Sequence, residues 1–293
     1  MFKSGFYAIT NSEIAESRGM TLMEQARELL EGGAVALQYR DKVFEKEQGC
    51  NPALTELSKK SPGIFSGVSC VNNSSEFFEN AKKLKKICEE YEVPFIINDR
   101  YDVAVDLGVM VHLGQEDLVG LGLYPASSKL KFGISTHSLA QAIEAENMGA
   151  SYIGIGPVYG TPTKPTYEPI GIVTVKQVID AVKIPVVAIG GLDVENLLKL
   201  VSLGVKNCAM VRSALQAEDV AGFVRGVNER LGDKGIERAC SWNAVRNVKK
   251  QSATLLQPRE AGCNPAPTKS NPAPTKVLQQ KFVLTNKSIL IKN

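Results

Sequence analysis

The sequence predicts an α/β fold, a (β/α)8 TIM barrel with an insertion after strand 2 and a disordered C-terminal tail. Three observations carry this. Eight short apolar or β-branched runs alternate with amphipathic helical stretches across residues 1–231. Several helix-to-strand joins repeat one form: GGAVAL, GVMVHL, GASYIGIG and GVKNCAMV. The first strand leads into Thr10-Asn11-Ser12, not into the GxGxxG turn that a doubly wound open sheet places there.

The elements follow in order. Phe6–Ile9 is the first strand. Thr21–Glu31 is a helix, with Thr21 as N-cap and Glu24 at the capping-box position. After Gly32, Ala34–Leu37 is the second strand. Glu76–Tyr91 is the helix that leads to the third strand, Val93–Ile97. A short helix over Asp102–Leu107 stops at Gly108, before the strand Val109–Leu113. Leu130–Ile134 is the fifth strand. Ser138 caps a helix over Leu139–Met148, which stops at Gly149 before Tyr152–Ile155. Ile172–Val182 and Pro185–Ile189 form the next pair. Asp193 caps Val194–Leu203, which stops at Gly204 before the eighth strand, Cys208–Val211. One long helix over Ala214–Leu231 closes the domain.

Two stretches lie outside this alternation. A segment at about 43–80, rich in Pro, Gly, Ser and Asn, is longer than the usual ~2–6 residues of a βα loop and reads as an insertion or lid. Residues 232–293 form a polar, Pro-rich, low-complexity tail carrying NPAPTK twice, at Asn264–Lys269 and Asn271–Lys276. Both stretches contain GCNPA, at Gly49–Ala53 and Gly262–Ala266. The net charge of +3 over 293 residues gives no global argument for nucleic acid or a membrane surface as partner. Six cysteines without a CxxC, no signal-type apolar segment and no apolar run near ~18 residues lead to the expectation of a cytoplasmic protein. Nothing in the sequence sets an oligomeric state.

Chemistry in such a barrel sits at the C-terminal ends of the strands. Strand 2 ends in Gln38, Tyr39, Arg40, Asp41 and Lys42. Side chains alternate there, so Gln38, Arg40 and Lys42 face one way and Tyr39 and Asp41 the other. Strand 3 ends in Asn98-Asp99, strand 4 in His112 and GQED with Asp117, and strand 5 in Ser135-Thr136-His137. Strand 6 leads to Thr161-Pro162-Thr163-Lys164, strand 7 to Gly190-Gly191, and strand 8 to Val211-Arg212. Arg40, Lys42, Lys164 and Arg212 are cations suited to phosphate oxygens. Asp99 and Asp117 are hard oxygen ligands on adjacent strands, and beside phosphate cations they point to Mg2+. Gly190-Gly191 lets backbone N–H groups approach a second phosphate. Each feature also has a plain structural explanation. Asp99 could cap the following helix, Gly-Gly could be only a turn, His112 a satisfied core histidine, and His137 a helix cap. The case rests on their coincidence on one rim.

The segments QYRDK, VPFIINDRYDVAVDLG, VHLGQEDL, GISTH, GASYIGIGPVYGTPTKP and IPVVAIGGL, between about residues 6 and 215, resemble the thiamine phosphate synthase family. The resemblance implies a transferase that joins an aminopyrimidine methyl diphosphate to a hydroxyethylthiazole phosphate, giving thiamine phosphate and pyrophosphate. It implies that Gln38, Arg40, Lys42, Asn98, Ser135 and Lys164 hold the pyrimidine diphosphate, with Arg40, Lys42, Lys164 and Ser135 catalytic. It implies Mg2+ on Asp99 and Asp117, and the thiazole phosphate on Thr161, Thr163, Gly191, Val211 and Arg212. Three departures stand out: LGVMVHLG is one residue shorter than the family's LGADGVHLG, Arg212 stands where a small residue is usual, and the segment between Lys42 and Ala81 is long. Two other readings compete. One is a thiazole tautomerase using His137 for proton transfer. The other is a non-catalytic paralogue that binds through its insertion and tail.

Overall fold

The computed structural model describes residues 3–41, 74–117, 130–161 and 168–232. Within them eight strands pair in chain order, all parallel, and β8 returns to β1 to close a barrel. The strands are β1 Gly5–Ile9, β2 Ala36–Tyr39, β3 Phe95–Asn98, β4 Met110–Leu113, β5 Phe132–Thr136, β6 Tyr152–Ile155, β7 Val186–Ile189 and β8 Asn207–Ala209. The helices are α1 Ser12–Ser17, α2 Leu22–Glu31, α3 Ser74–Glu90, α4 Tyr101–Leu107, α5 Leu139–Asn147, α6 Gly171–Ala181, α7 Val194–Ser202, α8 Val211–Leu215 and α9 Val220–Leu231.

The helix signals act as expected. Thr21 and Glu24 form a reciprocal capping box on α2, Ser138 caps α5, and Asp193 caps α7 with Asn196 reciprocating. Gly108 ends α4 in the left-handed region, at φ 64°, where a Cβ is disfavoured.

Two cores result. An outer shell packs strands against helices: Leu37, Tyr39, Phe95, Ile97, Ile134 and Ile153 meet Leu29, Leu84, Ala142 and Leu197. Inside the barrel Tyr7, Ile9, Ala36, Ile96, Tyr152, Val187 and Ala209 form a second cluster. Parallel strands buried on both faces read as continuous apolar runs, which is why they were visible in the sequence.

Four details differ from expectation. Strand β2 runs to Tyr39, two residues beyond Leu37, because Gln38 and Tyr39 keep register with Ile96 and Ile97 of β3. Helix α3 begins at Ser74, so the inserted segment does not reach residue 80; Phe77 is buried, stacked on Tyr39 at 4.4 Å. The closing helix is two helices, since Asp219 caps α9 by accepting from Gly222 N–H. Strand β8 stops at Ala209, and Val211 and Arg212 open α8 after Met210. The remainder of the insertion and the tail from residue 233 lie outside the described residues.

Candidate active site

A cavity of about 420 Å³ opens at the C-terminal ends of the strands. Gln38, Arg40, Asn98, Ser135, Thr161, Gly191, Val211 and Arg212, all expected at the site, line it together. Asp99 and Asp117 stand next to each other on the β3–β4 side, their carboxyl groups in hydrogen-bond contact. Lys42, Thr163 and Lys164 lie outside the described residues.

Each side chain is placed by its element. Alternation along β2 sends Tyr39 outward to the helices and Gln38 inward, where it is 3% exposed. Arg40 is aimed by Thr10: its N–H donates to Thr10 Oγ1 at 3.0 Å, and that hydroxyl donates to Arg40 C=O at 3.2 Å. Asp41 turns away from the cavity and accepts from Ser12 Oγ at 2.7 Å. Asp99 takes a left-handed backbone at φ 58° just past β3, and Arg100 rather than Asp99 is the N-cap of α4. Asp99 is therefore not a helix cap. Non-glycine residues in this region collect at functional sites.

Asp117 accepts from Gly114 N–H at 2.8 Å. Burial pushes its carboxyl up from the usual carboxylate range, and the neighbouring Glu116 charge adds to the rise. Two carboxyl groups in contact, one of them destabilised as an anion, are relieved by a hard divalent cation. The donor set thus fits Mg2+, which takes one or two carboxylates plus phosphate oxygens and water. Among the described residues no group of three or more His, Cys, Asp or Glu is placed to hold a metal ion by itself.

Across the cavity, Gly190 and Gly191 follow β7 at φ 97° and 65°. A Cβ on Gly191 would lie 2.6 Å from Gly160 O, so the turn and the loop after β6 are in contact through bare backbone. Asn196 Nδ2 holds Gly191 C=O at 2.9 Å, and Ser213 Oγ holds Leu192 C=O at 2.9 Å.

The site also contains residues the sequence reading did not assign. Short helix α1, capped by Asn11, brings Asn11, Glu13 and Ile14 to the cavity wall. His112, left open between core and site, belongs to both: it is 8% exposed, lines the cavity and contacts Ser135 Oγ at 2.9 Å through Nε2 and Tyr152 OH at 2.9 Å through Nδ1. Tyr152 OH lies 2.6 Å from Tyr7 OH, which donates to Gln38 Oε1 at 3.0 Å. Gln38 Nε2 donates to Asn98 Oδ1, and Asn98 Nδ2 donates to Asp99 Oδ2 at 2.6 Å. Burial holds both phenols well above the ordinary tyrosine range, so they are O–H groups at any working pH. No helix among the described residues is long and apolar enough to cross a membrane. The Cys88 and Cys208 thiols are buried and pushed up to about 12, which makes them inert packing groups.

A closed eight-stranded parallel barrel with a cavity at the strand C-termini, into which polar side chains of several strands project, is a (β/α)8 barrel with its cavity where enzymes of that fold hold their active sites. The profile of one family, thiamine monophosphate synthase, matches residues 6–214. The thiamine-phosphate synthase of Clostridium acetobutylicum is 33% identical over 221 residues, 75% of this chain and 90% of that protein. The thiamine-phosphate synthase of Pyrococcus furiosus is 33% identical over 219 residues, 74% of this chain and 90% of that protein. Among solved structures, the thiamine phosphate pyrophosphorylase of Pyrococcus furiosus superposes with a TM-score of 0.57 at 30% identity, covering 80% of this chain and 96% of that one. The chain belongs to the thiamine monophosphate synthase family. A mutant tryptophan synthase α-subunit from the same organism, at 12% identity and a TM-score of 0.54, shares the fold alone.

Proposed function

We propose that the protein joins an aminopyrimidine methyl diphosphate to a hydroxyethylthiazole phosphate, forming thiamine phosphate and releasing pyrophosphate. One observation carries this reading: residues from the ends of separate strands, singled out for that chemistry, line one cavity. Gln38, Arg40, Asn98 and Ser135, together with Lys42 and Lys164, hold the pyrimidine diphosphate. Asp99 and Asp117 hold Mg2+, which when bound draws negative charge from the diphosphate. Thr161, Thr163, Gly191, Val211 and Arg212 hold the thiazole phosphate. The bridging C–O bond breaks as Arg40, Lys42 and Lys164 neutralise the leaving oxygens. The electron-rich aminopyrimidine carries the resulting methylene cation, and the thiazole nitrogen donates its lone pair to form the new C–N bond. No protein nucleophile or strong base takes part. The chain's contribution is orientation, charge stabilisation and exclusion of water.

The test is direct. Purified full-length protein is mixed with both phosphates and Mg2+, and thiamine phosphate is followed. Product is expected, dependent on Mg2+ and lost in Asp99→Ala. Absence of product with both substrates at saturation overturns the proposal.

A further inference from the structure

We infer that Tyr152, together with Tyr7, is a positioning residue that couples the Asp99 side of the site to Ser135 through one hydrogen-bond chain of fixed direction. The inference rests on the proposed function for its kinetic consequence, and on hydrogen-bond chemistry alone for its direction.

The direction follows from counting protons. An amide NH2 only donates, and Asn98 turns Nδ2 toward the accepting Asp99 Oδ2. Asn98 therefore shows its oxygen to Gln38, and Gln38 must meet it with Nε2. That leaves Gln38 Oε1 to accept from Tyr7 OH. A phenol has one proton. With Tyr7 committed to Gln38, the 2.6 Å Tyr7–Tyr152 contact requires Tyr152 to donate. Tyr152 then has no proton for His112, so its oxygen accepts from His112 Nδ1–H. A neutral imidazole protonated at Nδ1 has an unprotonated Nε2, which accepts the Ser135 hydroxyl proton. Each step is set by the one before it. The orientation of an amide at the carboxylate pair thus decides the tautomer of a histidine on the next strand and the seat of Ser135.

The surroundings are built for this chain. Tyr7 and Tyr152 are 2% and 1% exposed, so an unmade hydrogen bond cannot be replaced by bulk water. Gly133 on β5 leaves room for the Tyr152 ring, since a Cβ there would lie 2.1 Å from Tyr152 Cε1. The Tyr152 and His112 rings stack with centroids 5.5 Å apart, beside the Nδ1–phenol contact.

The experiment uses the full chain labelled with 15N-histidine. The sequence has two histidines, His112 and His137, so both rings can be followed. His137 has its Nδ1 on Gly156 C=O and is an internal reference for the same tautomer. At pH 8, long-range 1H–15N spectra are expected to show His112 as the Nδ1–H form. In Tyr152→Phe, His112 is expected to move toward the Nε2–H form while His137 stays unchanged. Tyr7→Phe frees the Tyr152 proton and is expected to move His112 the same way. In steady-state assays each variant is expected to lose about tenfold in kcat with little change in KM. The double variant is expected to lose no more than either single one, as for groups in one network. An Nε2–H or doubly protonated His112 in the unmodified protein overturns the chain's direction. An unmoved His112 in Tyr152→Phe, or additive kinetic losses, overturns the positioning role. The tautomer switch in a protein that makes no thiamine phosphate upholds the chain and refutes the proposed function.

Discussion

At the scale of single residues, Arg212 has the most informative role to test. It lines the cavity from the first turn of α8, as Gly191 and Thr161 do from their loops. A guanidinium there either grips the thiazole phosphate or crowds it. Its location in the cavity wall favours a grip, because a charged hydrogen bond contributes about 1.5–3 kcal/mol. Arg212→Ala is therefore expected to raise KM for the thiazole phosphate by about ten- to a hundredfold, with KM for the pyrimidine diphosphate unchanged. Initial rates with each substrate varied in turn decide it; a lowered thiazole KM would mean crowding. The polar residues at strand ends were legible in the sequence because Gln38, Asn98, Ser135 and Arg212 interrupt apolar runs at the barrel mouth. Tyr7 and Tyr152 were not. Each sits inside an apolar run, where an aromatic ring reads as core, and only the three-dimensional pairing reveals what its hydroxyl does.

At the scale of elements, the β5–β6 pair shows how sheet register serves the site. Gly133 lies beside Tyr152 in register, and Ser135 beside Gly154, so glycines alternate with the polar side chains inside the barrel. A Cβ on Gly154 would meet His112 Cε1 at 3.6 Å, an ordinary contact, whereas one on Gly133 would overlap the Tyr152 ring. Gly133→Ala is thus expected to cost about 1–3 kcal/mol of stability, the range for overpacking a core. It should also lower activity more than a surface change of equal stability cost, by moving Tyr152. Chemical denaturation and kcat measured on one preparation check this; an activity loss without destabilisation would contradict it. A second prediction concerns α2. Thr21 accepts from Glu24 N–H at 3.2 Å, and Glu24 accepts from Thr21 N–H at 2.8 Å. Thr21→Ala is expected to remove about 1 kcal/mol with kcat untouched, since the cap lies away from the cavity. The existence of nearly every element was readable because caps and periodicity agree. Boundaries were less so: β2 extends past its apolar run because pairing with β3 holds Gln38, and the break between α8 and α9 is hidden because both halves carry the same apolar period.

At the scale of the whole molecule, α9 packs against β1 and α2 on the outside of the closed barrel, and this sets how much of the chain the fold needs. Asn228 on α9 accepts from Phe6 N–H at 2.7 Å and donates to Gly33 C=O at 2.8 Å, which fastens the last helix to β1 and to the turn after α2. Val220, Val224, Val227 and Leu231 bury the inner face of α9, each at most 3% exposed. The family match ends at residue 214, before this helix, yet the packing makes it part of the barrel. A chain ending at Gly232 retains every one of these contacts. The shortened chain is expected to keep its melting temperature within about 2 °C, the shift that corresponds to about 0.5–1 kcal/mol at this size. Its kcat is expected to equal that of the full chain. A chain ending at Ala217 removes four buried apolar side chains and the Asn228 clasp together. At about 1.5–3 kcal/mol for each buried valine or leucine, the loss of about 6–12 kcal/mol is comparable with the whole stability of an ordinary domain, about 5–15 kcal/mol. That chain is expected to be insoluble or unfolded by circular dichroism. Should the chain ending at Gly232 lose activity while remaining folded, the tail acts on the site and its role as a dispensable segment is refuted.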